Sequence, residues 1–299
     1  MTNMEHANAV TTMQEYMEQH LEDEITLQAL AGAVGYSPWY CARMFKEFTG
    51  KSPFEYLRNL RLSKAAMRLR NEDLRVVDVA FDFLFSSHEG FTRAFQKNFG
   101  ITPKSYQMKT PPIPLFHPYP VRSYYLMQQE KEEHPPLSNE FHVRIINFPA
   151  RKLLLLRGEK ADNYFDYSNE VGCDVWGMLV SVKEALHEPV GVWLPKTLRP
   201  INTSIYAQGV EVPQDYSGVI PENYDIIDLP PCTMMMFQGQ PYDEDYFDEA
   251  IGDLSVTIDQ YDPTVHGYIW DDDIAPRIQL EPQGYRGYIE GRPVKLIKQ

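Results

Sequence analysis

Leu27-Gln-Ala-Leu-Ala-Gly-Ala-Val-Gly-Tyr-Ser-Pro-Trp-Tyr-Cys-Ala-Arg-Met-Phe-Lys-Glu-Phe48 decides how the N-terminal part of this chain folds. Leu27, Leu30, Ala31 and Val34 recur at helical spacing and make one apolar stripe. Thr26 stands where the cap of that helix belongs. Gly35 follows, a residue that reaches positive φ without the steric cost of a Cβ. Ser37 and Pro38 then offer a cap and a first-turn proline for a second helix ending near Phe48. A short helix, a tight turn and a second helix make a helix-turn-helix unit.

Outward from this stretch the pattern stays helical. Val10, Met13, Met17 and Leu21 form an earlier stripe, and Ser52-Pro53-Phe54-Glu55 is a capping box opening a long helix to about Arg70. The helix-turn-helix idea then repeats. Val76, Val77, Val79 and Ala80 form a short apolar helix, Leu84-Phe85 the turn, and Ser86 or Ser87 caps a helix running to about Asn98. Thr102-Pro103 starts a short final helix.

Across both units, Gly35-Tyr-Ser, Arg43-Met-Phe-Lys, Gly50-Lys-Ser-Pro-Phe-Glu-Tyr-Leu-Arg58, Arg61-Leu-x-x-Ala-Ala66 and Phe91-Thr-Arg-Ala-Phe-Gln-Lys-Asn-Phe-Gly100-Ile-Thr-Pro103 occur in order. Residues 8–108 therefore closely resemble the AraC/XylS family of transcription regulators. The resemblance implies double-stranded DNA as partner, with two recognition helices entering successive major grooves roughly 34 Å apart, and RNA polymerase as a second partner. It also favours activation over repression. One position departs from the family pattern: the second turn has Leu84 where glycine is usual.

Polar residues facing away from the apolar stripes are the candidate DNA contacts. On the first recognition helix Met44, Phe45 and Phe48 point inward, leaving Ser37, Trp39, Tyr40, Arg43 and Lys46; the resemblance supports Trp39 and Arg43 as groove contacts. On the second, Phe91, Ala94, Phe95 and Phe99 are the buried stripe, leaving Ser87, His88, Glu89, Thr92, Arg93, Gln96 and Lys97. Arginine pairs with guanine in a bidentate manner, whereas Lys46 and Lys97 suit phosphate.

The chain has 299 residues, 43% of them hydrophobic, enough for two domains with packed cores. Three cysteines without close spacing argue against a disulfide framework or a thiolate zinc site, and fit a reducing cytoplasm. No signal peptide or membrane span is expected; the longest aliphatic run is Leu153 to Leu156. The net charge of -14 is unevenly spread: residues 1–109 hold 13 basic and 13 acidic side chains, residues 110–299 hold 15 and 29. Residues 25–109 alone hold 13 basic against 7 acidic side chains, a balance of +6 compatible with a phosphate backbone. Five prolines between Thr110 and Pro120, then a polar stretch from Gln128 to Glu140, mark residues 109–140 as a connector, with a short strand expected at Val121 to Met127.

From residue 141 to 298 the pattern is α+β. Phe141, Val143 and Ile145 alternate with His142 and Arg144 as in a half-buried strand. Val143-Arg-Ile-Ile-Asn-Phe-Pro-Ala-Arg-Lys-Leu-Leu-Leu-Leu-Arg-Gly158 aligns without a gap to Tyr224-Asp-Ile-Ile-Asp-Leu-Pro-Pro-Cys-Thr-Met-Met-Met-Phe-Gln-Gly239, an internal repeat. A helix follows each copy: Val175, Leu179, Val182 and Leu186 match Phe247, Ile251, Leu254 and Ile258 in spacing. Further strands are expected at Val190 to Leu194, Ser204 to Val212, Gly267 to Trp270, Arg277 to Leu280 and Gly287 to Ile289. Two α+β halves related by a pseudo-twofold axis, with a cleft between them, are the expected result.

This duplication, with its proline entry, resembles the GyrI-like effector-binding domain. The resemblance implies that an amphipathic, often cationic, small molecule binds against aromatic walls and a buried acid near the last strand. Three of four tryptophans and fourteen of nineteen tyrosines lie beyond residue 109, and a ring face attracts a cation by about 0.5 to 2 kcal/mol. Candidate pocket residues are Trp176, Trp193, Tyr206, Tyr224, Tyr268 and Trp270, with Gln279 at the position expected for the acid and Glu281 two residues on. With Gln279 replacing a charge, a neutral or weakly charged ligand is an option. Two other roles compete for this domain: a hydrolase using Glu281 with Tyr268 or Tyr288, or a protein-docking module. The eight histidines show no HxH or HExxH spacing, so no metal or other cofactor is expected. The Asp271-Asp-Asp273 run reads as an exposed loop.

Overall fold

The computed structural model describes residues 3–119, 121–127, 140–172, 174–243 and 246–297. It divides into two units, Met1–Lys131 and Glu132–Gln299.

The first unit is all helical: α1 (Asn3–Gln19), α2 (Leu27–Val34), α3 (Pro38–Thr49), α4 (Pro53–Asn71), α5 (Val76–Asp82), α6 (His88–Phe99), α7 (Pro103–Lys109) and α8 (Val121–Met127). The expected caps form: Thr26, Ser52 and Thr102 accept from the backbone N–H groups of Ala29, Glu55 and Ser105. Val10, Met13, Met17, Leu30, Phe45, Leu60, Phe91, Phe95 and Tyr106 are buried, so the stripes read from the sequence face inward.

Two features of the connector differ from expectation. Val121 to Met127 is a helix, not a strand. Among the described residues of this unit there is no partner strand, whereas α1 supplies what a helix start needs: Gln14 Oε1 accepts from Val121 N at 3.3 Å and Thr11 Oγ1 from Arg122 N at 3.0 Å. The proline-rich stretch before it is also docked. Ile113, Leu115 and Val121 are buried, and Phe116 N donates to Ser63 Oγ at 2.7 Å. Residues 110–119 and 121–127 thus belong to the helical body; residues 120 and 128–139 of the expected connector lie outside the described residues.

The second unit is an antiparallel sheet with helices on one face. Its elements are β1 (Phe141–Phe148), β2 (Arg151–Arg157), α9 (Tyr164–Val171), α10 (Val175–Val180), β3 (Val190–Trp193), β4 (Tyr206–Pro213), β5 (Asp225–Leu229), β6 (Cys232–Gly239), α11 (Phe247–Gln260), β7 (Tyr268–Trp270), β8 (Arg277–Leu280) and β9 (Ile289–Leu296). The strand order is β1-β6-β9-β8-β3-β4-β2-β5, with β7 added on β9. Strands flanking the Pro149 and Pro230 turns do not pair with each other. They exchange partners: β1 pairs with β6, placing Phe148 opposite Cys232, and β2 pairs with β5, placing Arg151 opposite Leu229.

The apolar runs are explained by burial on both faces. Leu153, Leu155, Met234 and Met236 face one cluster, with Val190, Val192 and Ile278. Leu154 turns to the other face, where Tyr167, Val175 and Leu179 cover it; Met235 and Phe237 do the same under Leu254 and Ile258. The first expected helix is shorter than its spacing suggested: α10 stops at Val180, and Leu186 is 49% exposed beyond it. The segment before it folds in part as α9. The last strand runs on to Leu296 through Pro293, seven residues past the expected Ile289. Among the described residues no helix is long and apolar enough to cross a membrane.

Candidate functional site

Gly35 ends α2 at φ 73° and Ser37 Oγ accepts from Tyr40 N, so the first turn of α3 is held open to solvent. Cys41, Met44 and Phe45 point into the core. Trp39 is 74% exposed, Arg43 and Lys46 are exposed, and Tyr40 and Phe48 are half-buried. The Arg43 guanidinium carbon lies 5.9 Å from the Trp39 ring centre and 5.3 Å from that of Tyr40.

The second unit repeats this. Leu84 takes φ 59°, the left-handed conformation of Gly35, and the turn closes as a Schellman motif: Phe85 N donates to Ala80 O and Leu84 N to Phe81 O, each at 2.9 Å. Glycine's absence therefore leaves the turn geometry intact at a steric cost of about 1 to 2 kcal/mol. Ser87, not Ser86, is the cap, accepting from Gly90 N at 3.0 Å. Phe91, Ala94, Phe95 and Phe99 are buried beneath α6, while His88, Glu89, Arg93, Gln96 and Lys97 are exposed. Thr92 is half-buried and its Oγ1 has no hydrogen-bond partner among the described residues.

In the sheet unit, the strand register gathers some of the expected pocket residues and separates others. Trp193 lies opposite Tyr206 on β4 and Arg277 on β8; Gly191 lies opposite Gln208 and Gln279; and Gln279 lies opposite Glu290 on β9. Trp193, Tyr206 and Gln279 thus share a polar floor on the helix-bearing face. Gly191 is required there, since a Cβ would fall 2.1 Å from the Tyr206 hydroxyl. Tyr268 and Trp270 instead pack beside Phe237 in the α11 cluster, and Tyr224 packs in the α9–α10 cluster, where burial raises its hydroxyl pKa to about 12. Trp176 is half-buried on α10.

The buried acid of this floor is Glu290, fully enclosed, and not Glu281. It takes a hydrogen bond from Tyr288 at 3.1 Å and one from Ser255 at 3.4 Å, and it pairs with Arg277. Burial pushes its carboxyl above 4.5 even though Arg277 and Tyr288 pull it down. Glu281 accepts from Gln283 at 3.0 Å, and the Tyr288 hydroxyl donates to Glu290. Sequence reading missed Glu290 because it ended the last strand one residue earlier.

The ring faces are already occupied. Arg277 sits 5.1 Å from the Trp193 ring centre and Arg292 4.3 Å from that of Trp270. A small cavity of about 150 Å³ opens nearby, lined by Phe141, Gly239, Tyr242, Leu254, Thr257 and Tyr288; none of the eight expected pocket residues lines it. Among the described residues no three His, Cys, Asp or Glu side chains converge as metal ligands.

Comparison with known proteins finds relatives for about a third of the chain. A family model described as a helix-turn-helix domain matches residues 30–109. The transcriptional regulator Rob of Salmonella typhimurium is 38% identical over 104 residues, 35% of this chain and 36% of Rob. The match therefore spans about a third of that relative's length. The regulatory protein SoxS of the same organism is 34% identical over 104 residues, which cover 97% of SoxS. Both relatives are regulators, not enzymes. A solved AraC-type transcriptional regulator from Chromobacterium violaceum superposes with a TM-score of 0.33 at 28% identity, covering 34% of this chain and 90% of its own.

Proposed function

Since the chain belongs to the AraC/XylS family of helix-turn-helix transcription regulators, we propose that α3 and α6 are its recognition helices, reading two adjacent major-groove segments of an asymmetric duplex site. The observation that carries this is the repeated presentation: two capped helices, each apolar on one side and exposing an arginine, Arg43 and Arg93, on the other. The helix between them, α4, is about 28 Å long at 1.5 Å per residue. Arg43 and Arg93 read guanine edges; Lys46, Gln96 and Lys97 hold phosphates or base edges; Trp39, Tyr40, His88, Glu89 and Thr92 complete the contact faces. Ser37 and Ser87 accept from backbone N–H groups through Oγ, which leaves each hydroxyl proton available for a phosphate oxygen. RNA polymerase is the second partner, and activation the preferred direction.

The second unit is read as a GyrI-like domain built by duplication, sensing a small amphipathic effector. Its support is the palindromic strand order, in which β1, β6, β9 and β8 correspond to β5, β2, β4 and β3, together with the exchanged pairing around the two proline turns. The effector lies against Trp193, the half-buried edge of the floor that Tyr206, Gln279 and Glu290 form inside. Arg277 neutralises Glu290 there, so a neutral or weakly charged effector fits better than a cation.

For the DNA interface, duplexes enriched from a random library by the native protein serve as the probe. Arg43→Ala and Arg93→Ala should each lose about 1 to 3 kcal/mol of discrimination at one base position, measured by competition gel shift. Unchanged affinity and sequence preference in both variants would overturn the assignment. For the sensor, Arg277→Ala should bind a tetraalkylammonium probe in calorimetry where the native chain does not. Equal binding by the two would remove the reading of the floor.

A further inference from the structure

We propose that His6, on α1 and outside both helix-turn-helix units, is a positioning residue for Arg43. The inference rests on the reading that Arg43 contacts a base. A hydrogen bond of 3.0 Å joins the Tyr40 hydroxyl to His6 Nε2. The His6 ring also meets Tyr40 edge to face, at 5.8 Å between ring centres and 66° between planes. Tyr36 packs on the remaining side, 5.5 Å from Tyr40 and 6.4 Å from His6. Tyr40 is therefore held by two residues, by the ring and hydrogen bond of His6 and by the ring of Tyr36.

Arg43 leans on this fixed ring. Trp39 and Tyr40 precede it by four and three residues, the spacings that bring side chains together on a helix. Of the two rings flanking the guanidinium, Trp39 is 74% exposed and anchored by its own helix, whereas Tyr40 is tied to α1. An unrestrained arginine gives up rotamer freedom when it is fixed. A guanidinium already laid against an immobile ring gives up less on reaching a guanine. The chemistry selected is bidentate recognition of one base, and the residue controlling it comes from a helix that carries none of the recognition surface.

His6→Phe keeps a ring for the edge-to-face contact and removes the hydrogen bond. With the enriched duplex as probe, it should weaken specific binding about fivefold, the worth of one net hydrogen bond, and relax preference at the base position that Arg43→Ala also relaxes. Affinity for a scrambled duplex should stay unchanged. Tyr40→Phe should reproduce the loss, and His6→Gln, which retains a polar atom near Nε2, should restore at least part of it. In the Arg43→Ala background His6→Phe should cost nothing more. Equal losses in the two backgrounds, or normal base preference in His6→Phe beside a relaxed Arg43→Ala, overturn the proposal and leave the recognition reading standing. Normal base preference in Arg43→Ala itself overturns both.

Discussion

Leu84 is where a single residue carries a conformation its side chain resists. Its φ of 59° is forced by the Schellman closure of α5, and Gly35 does the same service at 73° without strain. Leu84→Gly and Leu84→Ala lose the same apolar contacts, but the glycine variant alone relieves the backbone. It should be more stable than the alanine variant by about 1 kcal/mol in urea unfolding; equality would show that the turn is not strained. Arg151, Glu211 and His187 make the second residue-scale case. Arg151 and Glu211 are each 1% exposed, Arg151 Nε donates to Glu211 at 2.5 Å, and His187 Nε2 lies 3.0 Å from the same oxygen. Burial alone would lower the His187 pKa, but the hydrogen bond and charge of Glu211 outweigh it and raise it above 6.5. A raised histidine stabilises fully below its unfolded pKa, and that stability is lost as pH climbs through the folded value. Stability of the sheet unit should therefore decline as pH rises above 6.5, and His187→Gln should flatten the decline. Trp39→Phe removes the tryptophan of the helical unit, so fluorescence-detected unfolding then follows Trp176, Trp193 and Trp270. A pH profile identical in His187→Gln would contradict the sign argued here. Neither Leu84's dihedral nor the Glu211 partners carries a local signature, although the missing glycine was visible as a departure.

Helices were the most legible elements, because caps and stripes act within four residues. Ser37, Ser52 and Thr102 cap where the sequence places them, and of the two candidates Ser86 and Ser87 it is Ser87 that caps. Ser87→Ala should lower the stability of the helical unit by about 1 kcal/mol, read from helical circular dichroism in urea, while Ser86→Ala should leave it within experimental scatter. A larger loss from Ser86 would assign the cap wrongly. Strands were less legible. The sequence places the last strand at Gly287 to Ile289, yet it runs on through Pro293, because proline removes only one ladder donor and Val294 still pairs with Thr233. Val121 to Met127, expected as a short strand, is a helix, because α1 satisfies its first backbone donors.

Charge separates the molecule into two bodies of different character, and packing places the seam further along the chain than composition did. Ile113, Leu115 and Val121 are buried against the helices, and burying each such side chain is worth about 1.5 to 3 kcal/mol. A fragment ending at Lys131 should melt cooperatively and keep the sequence preference of the full chain. A fragment ending at Lys109 should melt at a clearly lower temperature, because it uncovers the surface that Ile113, Leu115 and α8 occupy. Equal melting temperatures would show that the proline-rich stretch is a tether after all. The sequence by itself determined the tandem helical units, the outward faces of α3 and α6 and the repeat at the two proline turns, because each is written in spacings of a few residues or in a gapless alignment. Tertiary structure alone decided that Glu290 is the enclosed acid, that Arg277 already answers it, and that His6 reaches Tyr40 from another helix. Those contacts depend on strand register and helix packing between residues far apart in the chain, and a change in either would replace every partner without altering one local pattern.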